Sequence, residues 1–330
     1  MSSFRALVLD QNDDGQTVSL QDLDREQLPD GDVSIDVEWS SLNYKDGMIL
    51  RGIGRLVRNF PHVPGVDLAG TVTESASAAF FPGDRVVLTG FRVGEAWWGG
   101  YAEKARVKSE WLVKVPDSLT TRQTMEIGTA GLTAMLCVDA LERDGLTPDA
   151  GPVLCTGAAG GVGSYAVHLL AKLGYEVTAS TGRPAEAGYL KQLGAAEVID
   201  RAEIADAPAK PLLSERWAGC VDAVGGATLA HVLAEMRYGA SVAACGNTAG
   251  NDLPTSVLPF ILRNVRLLGV DSVMVPAADR APQWARLGEL VDPDFLASAT
   301  TVIGLGDLES AADEILAGQV RGRILVDVNT

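Results

Sequence analysis

Metal ligands are scarce in this sequence. It has 4 cysteines and 3 histidines among 330 residues, and Cys137, Cys155, Cys220 and Cys245 lie far apart with no CxxC pair. That spacing argues against a zinc ribbon or a disulfide framework, and the apolar neighbours read the thiols as buried and reduced. Positive charge is short as well. The 27 Lys and Arg face 43 Asp and Glu, for a formal net charge of −16, which repels nucleic acid and anionic lipid and leaves a small molecule as the expected partner. Apolar runs are broken by Gly, Lys, His or Asp before they reach bilayer length, and the start, MSSFRALVLDQ, lacks the basic and apolar regions of a signal peptide. The expectation is a cytoplasmic protein. Its 47% hydrophobic and 21% charged residues belong to a folded globular chain rather than a disordered one.

What is present changes along the chain. Through about residue 120, short strands alternate with turn clusters: FRALVLD, VSIDVEW, LAGTVTES, DRVVLTG, YAEKARV and WLVKVP. A helical period then begins in TRQTMEIGTAGLTAMLCVDALERDG. Strands and helices alternate after it: PVLCTG, the helix opened by AAGGVGS, YEVTAS, the helix around AEAGYLKQLG, AEVID, CVDAVGG, the helix ATLAHVLAEMRYG, SVAACGN and VRLLGVDSV. This alternation builds right-handed βαβ units and a doubly wound parallel sheet. A helix, LESAADEILAGQ, and a strand, RILVDV, close the chain. The predicted division is 1–122 for a β-rich domain, 123–298 for a cofactor domain, and 299–330 returning to the first.

TGAAGGVG places Gly157, Gly160, Gly161, Val162 and Gly163 between a strand and a helix. Without side chains, the backbone there can approach a pyrophosphate, and the helix N-terminus favours the negative charge. The next strand ends in Ser180, Thr181, Gly182 and Arg183. No acid stands there to hold a ribose 2′-hydroxyl or repel a 2′-phosphate, whereas two hydroxyls and a guanidinium suit the phosphate, so NADPH is the expected cofactor. Loops around Asp222 and Asn247 also follow apolar strands and lie where strand C-termini face a ligand.

The stretch SSLNYKDGM ends a strand with turn residues around Tyr44, and its local reading is a turn. From Lys45 to Arg58 the chain carries Lys45, Arg51, Arg55 and Arg58 against one acid, Asp46. Two readings stand for this segment. One is an anion site formed by Lys45, Arg51, Arg55 and Arg58, with the three arginines on one side of a helix; the other is a solvated basic loop, because Gly52 and Gly54 weaken a helix.

SSLNYKD, VPGVDLAGTV, GDRVVLTG, WGGYAEKARV, IGTAGLTAML, TGAAGGVGS, DAVGG, FILRNVRLLGVDSV and GRILVDV together resemble the zinc-independent, quinone-oxidoreductase-like branch of the medium-chain dehydrogenase/reductase superfamily, and within it the acryloyl-CoA reductase subgroup. The resemblance covers the whole chain. It implies a GroES-like β-rich catalytic domain and a Rossmann cofactor domain. Asn43 and Val66 stand where zinc-dependent relatives place catalytic ligands, so no metal is expected. Reduction of an activated carbon–carbon double bond then suits the site better than alcohol oxidation, because a conjugated carbonyl already accepts charge.

The resemblance further implies that Tyr44 contacts the cofactor or donates a proton, that Asn43 donates to the substrate oxygen, and that Ile261, Ser272 and Arg323 approach the cofactor. Asp67 has two roles open to it, anchoring Lys45 or Arg51, or catalysis. The implied reaction is reduction of acryloyl-CoA to propanoyl-CoA by NADPH, which makes Lys45, Arg51, Arg55 and Arg58 the candidate seat for the coenzyme A phosphates. A quinone or 2-alkenal reductase and a non-catalytic NADPH-binding protein are the alternatives. An apolar edge strand in VRLLGV points to a homodimer.

Overall fold

The computed structural model describes residues 3–13 and 15–330. The chain opens with an antiparallel pair, β1 (Ser3–Asn12) and β2 (Gly15–Asp24). There follow β3 (Val33–Leu42), α1 (Tyr44–Leu50), β4 (Asp67–Ser75), β5 (Arg85–Thr89), β6 (Lys104–Val107), β7 (Val113–Lys114) and α2 (Thr121–Arg143). The second part runs through β8 (Val153–Cys155), α3 (Gly161–Lys172), β9 (Val177–Thr181), α4 (Ala187–Gln192), β10 (Glu197–Asp200), β11 (Trp217–Asp222), α5 (Gly226–Glu235), β12 (Met236–Ala244), α6 (Leu258–Arg263) and β13 (Arg266–Gly269). It closes with α7 (Ala277–Leu290), α8 (Pro293–Ala299), β14 (Thr300–Gly304), α9 (Leu308–Leu316) and β15 (Arg323–Asp327).

Two compact units result. One comprises the residues up to Thr129 with Val273–Thr330, and the other is Ala130–Ser272. The first unit therefore keeps the chain to 129 rather than 122, and regains it at 273 rather than 299. The reason is α7, whose Trp284 and Leu287 are buried and which packs on β7 of the first unit.

In the first unit the sheet runs β14-β15-β3-β4-β5-β7, with β6 also on β3. The alternation in β3 puts Val33, Ile35 and Val37 into a core with Leu68, Val72, Val86, Leu88, Ile324 and Val326. β15 pairs antiparallel with β3, Ile324 opposite Leu42 and Val326 opposite Ser40, so the chain's end is built into the sheet formed by its beginning.

The second unit is a six-stranded parallel sheet in the order β10-β9-β8-β11-β12-β13. Strand order reverses between β8 and β11, the point at which doubly wound sheets open a crevice beyond the strand C-termini. Leu154, Cys220, Val242, Trp217, Val232 and Leu233 form its core. MRYG, read above as the end of a helix, instead begins β12; α5 stops at Glu235 and Met236 turns to extended backbone.

α2 meets the length and composition of a membrane span, but its apolar run is broken by Gly128, Gly131 and Asp139, and 78% of its apolar window is buried inside the protein. It is a core helix. Gly128, at φ 54 and ψ −162, interrupts its helical geometry.

Candidate active site

SSLNYKD is the start of a helix rather than a simple turn. Asn43 is the N-cap of α1, its extended backbone (φ −114, ψ 164) leading into Tyr44 as the first helical residue. Asp46, one turn on, accepts the Asn43 backbone N–H at 2.9 Å, and its other oxygen accepts the Val66 N–H at 2.9 Å. One carboxyl thus ties the helix start to the loop before β4, joining the segments of Asn43 and Val66. Tyr44 itself points outward, 42% exposed.

Beneath Tyr44 lies a closed polar cluster. Asp67 accepts from Ser41 Oγ at 2.6 Å, Asn43 Nδ2 at 2.9 Å, Thr129 N at 2.8 Å and Thr129 Oγ1 at 2.5 Å. Arg323 donates to Asn43 Oδ1 at 2.9 Å, Ser41 Oγ at 2.8 Å and the Glu126 carbonyl at 3.3 Å, with Asp67 at 3.8 Å. Asp46, Asp67 and Arg323 are all buried. Two carboxylates with one guanidinium would leave a buried net negative charge. Burial, reinforced by the charge of Asp67, accordingly pushes the Asp46 carboxyl up to about 7. A protonated Asp46 leaves Asp67 and Arg323 as a neutral pair. Gly128 is required here, because a Cβ would lie 2.3 Å from Arg323 Nη2 and 2.8 Å from Asp67 Oδ2.

In the second unit, the Gly-rich loop leaves β8 at the reversal of strand order. Gly157 has φ +59, Gly160 caps α3, and a Cβ on Gly163 would lie 2.3 Å from the Gly157 carbonyl oxygen. The loop can close on the helix start only with glycine at 163, which leaves the first amides of α3 facing the crevice. Thr156 Oγ1 donates to Asp222 at 2.6 Å, tying the loops that follow β8 and β11. Asp222, raised by burial and opposed by its hydrogen bonds from Thr156 and Gly225, also shapes the AVGG turn. A Cβ on Gly246 would lie 2.3 Å from the Ala223 carbonyl oxygen, so the turns after β11 and β12 pack backbone to backbone.

Ser180 and Thr181 end β9 and are buried. Thr181 Oγ1 accepts the Arg183 N–H at 3.1 Å, and Arg183 Nη2 donates to the Ala159 carbonyl at 3.1 Å, which joins the β9 end to the Gly-rich loop. A second cation was missed by sequence reasoning. β9 and β10 pair in parallel with Thr181 opposite Asp200, so Arg201 falls beside Gly182, where a Cβ would lie 2.3 Å from its Nε. The signal was an arginine just past the next strand. This edge thus carries two guanidiniums, Arg183 and Arg201.

Residues 29–117 match the alcohol dehydrogenase GroES-like domain, and residues 161–287 match the zinc-binding dehydrogenase family. Acrylyl-CoA reductase AcuI of Ruegeria pomeroyi is 55% identical over 99% of both chains. The chain belongs to the acrylyl-CoA reductases of the medium-chain dehydrogenase/reductase superfamily. Probable acrylyl-CoA reductase AcuI of Escherichia coli is 52% identical, over 99% of this chain and 100% of its own. The yhdH oxidoreductase from Salmonella enterica, solved in complex with NADP, superposes with a TM-score of 0.96 at 54% identity, over 98% of this chain and 99% of its own.

Several residues expected at the site of this acrylyl-CoA reductase-family chain have other work. Both donors of the Asn43 amide are taken by Asp67, Asp46 and Ser41, so it does not serve as a free donor to a substrate oxygen. Arg323 is 3% exposed and sealed in the same cluster rather than reaching a cofactor. Asp67 binds Arg323 and Asn43 in place of Lys45 or Arg51. Arg51 caps the C-terminus of α1 and grips α9 through Asp313 at 2.7 Å and Glu309 at 3.1 Å. No helix carries Arg51, Arg55 and Arg58 on one side: Gly52, Gly54 and Arg55 all have positive φ, which ends α1 at Leu50. Arg55 and Arg58 are exposed loop cations. Lys45, by contrast, stays at the surface, its side chain 36% exposed with Glu95 at 2.9 Å. Asn247 is exposed and bonds Asn251, Ile261 is 68% exposed on α6, and Ser272 ends the second unit. Among the described residues, no group of three or more His, Cys, Asp or Glu side chains is disposed to hold a metal ion.

Proposed function

We propose that this protein reduces acryloyl-CoA to propanoyl-CoA with NADPH. The observation that carries the reading is full-length identity of 52–55% to acrylyl-CoA reductases, on a chain that keeps the phosphate-binding architecture. The Gly163 cradle leaves room for a pyrophosphate at the start of α3, and Ser180, Thr181, Gly182, Arg183 and Arg201 form a polar edge suited to a 2′-phosphate. NADPH supplies the hydride that adds to the β-carbon. A proton completes the α-carbon, and Tyr44, exposed at the head of α1, is the side chain assigned to orient the reacting groups. The buried cluster below fixes where Tyr44 starts.

The test follows NADPH absorbance with acryloyl-CoA, crotonoyl-CoA and a quinone as separate acceptors. Acryloyl-CoA should give the highest kcat/KM. A quinone turned over faster than either thioester would replace the reading with a quinone reductase, and tight NADPH binding without oxidation would make the protein a cofactor-binding one. We also infer a homodimer through β13, the last strand of its sheet, beside the exposed Val257 and Leu262 of neighbouring segments.

A further inference from the structure

The residue after Tyr44 belongs to a charged cluster that the family resemblance did not point to. Lys45 Nζ lies 2.9 Å from Glu95 Oε1, and Arg92 Nε lies 3.7 Å from Glu95 Oε2. The two oxygens of one carboxylate each hold a different cation. The burial is uneven: the Glu95 side chain is 8% exposed, whereas Lys45 is 36% and Arg92 53% exposed. The carboxylate sits below and the cations face solvent, with one positive charge in excess. In a chain of net charge −16 this is the local exception that an anionic ligand needs.

The backbone that presents Arg92 is costly. Phe91 and Arg92 have φ of 51 and 59, a left-handed pair with no glycine, which persists only where the surroundings impose it. The surroundings do so here. Phe91 N–H donates to the Val273 carbonyl at 2.8 Å, and the Arg92 carbonyl accepts the N–H groups of Glu95 at 3.1 Å and Ala96 at 2.9 Å. Gly94 packs so closely on Gly65 that a Cβ would lie 2.7 Å from the Gly65 carbonyl carbon. A surface ion pair by itself contributes little to stability and does not account for two strained residues.

We propose that Lys45 and Arg92, oriented by Glu95, form the seat for a phosphate of the substrate's coenzyme A. The proposal deepens the reductase reading and rests on it for the identity of the ligand. It also moves the phosphate contact away from Arg51, which α9 already occupies. Lys45 gives a point charge and Arg92 a planar fork, a pair suited to a phosphate ester dianion. Phosphate esters come from two sources here, coenzyme A and the dinucleotide, and the experiment separates them.

Free coenzyme A is titrated calorimetrically into the protein saturated with NADP, and NADPH is titrated separately. Arg92→Gln should weaken coenzyme A about tenfold and flatten its salt dependence, while NADPH affinity stays within twofold of the parent. Lys45→Gln should weaken coenzyme A similarly, and Arg92→Lys should restore most of the loss. Unchanged coenzyme A affinity in Arg92→Gln would overturn the seat, as would a parent that does not bind coenzyme A or a variant whose loss falls on NADPH instead. Turnover is read independently. Coenzyme A bound through Arg92, with acryloyl-CoA left unreduced, would sustain the seat and remove the proposed reaction.

Discussion

Arg323 is held inside the polar cluster by Asn43, Ser41 and the Glu126 carbonyl. It is the counter-charge for Asp67, and both are buried, so Arg323→Met leaves a carboxylate uncompensated. The variant should lose about 3–5 kcal/mol of stability in urea unfolding, because breaking a buried pair exposes the full desolvation penalty of the survivor. At the other site, Arg183→Gln with Arg201→Gln should raise the NADPH Kd by roughly ten- to a hundredfold and leave NADH binding nearly unchanged, measured by fluorescence titration. An equal loss for both dinucleotides would remove these guanidiniums from the 2′-phosphate. Tyr44→Phe keeps the ring and removes one hydroxyl. It should lower kcat with little change in folding stability; full turnover would return Tyr44 to the plain role of a helix start. Of these residues the sequence singles out Arg183 by its place at the end of a strand after the Gly-rich motif, and Tyr44 only through the family resemblance. Arg201 is not singled out, because its place beside Gly182 depends on strand register.

Among the elements, the head of α1 and the kink in α2 are held by one cluster. Gly128→Ala must adopt φ 54 and place a Cβ 2.3 Å from Arg323 Nη2, at a cost of about 1–3 kcal/mol and with disturbance of the Asp67 contacts. Thermal unfolding measures it. The cluster also makes stability depend on pH. Asp46 rises from 3.8 to about 7 on folding, so the folded state holds the proton more tightly than the unfolded chain. Its contribution is complete below about pH 4 and declines as pH rises through 7, with a slope of at most about 1.4 kcal/mol per pH unit. Asp46→Asn, compared with the parent by denaturant unfolding at several pH values, should flatten that interval. A parent profile already flat between pH 4 and 7 would show that Asp46 is ionised in the fold. The helix at Tyr44 was misread as a turn because seven residues with Gly47 inside look like a loop locally, and the Asp46 bonds that stabilise its start include one to Val66.

For the whole molecule, the edge strand β13 is the feature that asks for a partner. Sedimentation should find a dimer, and Leu262→Lys, at a position 57% exposed, should shift it toward monomer without altering NADPH affinity. A monomeric parent would leave β13 as a free edge. The sequence by itself determined the two-part α/β architecture, the parallel sheet and the Gly-rich crevice, because periodicity and strand–Gly–helix order are local and survive as a one-dimensional pattern. Only the tertiary structure decided which charges are free. Asn43, Arg51 and Arg323 read as ligand-binding groups in a string of letters. Their partners Asp67, Asp313 and Glu309 lie 24 or more residues away, and a buried charge is neutralised by whatever the fold brings within a few ångströms. The same folding places Glu95 beneath Lys45 and leaves Arg92 open to solvent.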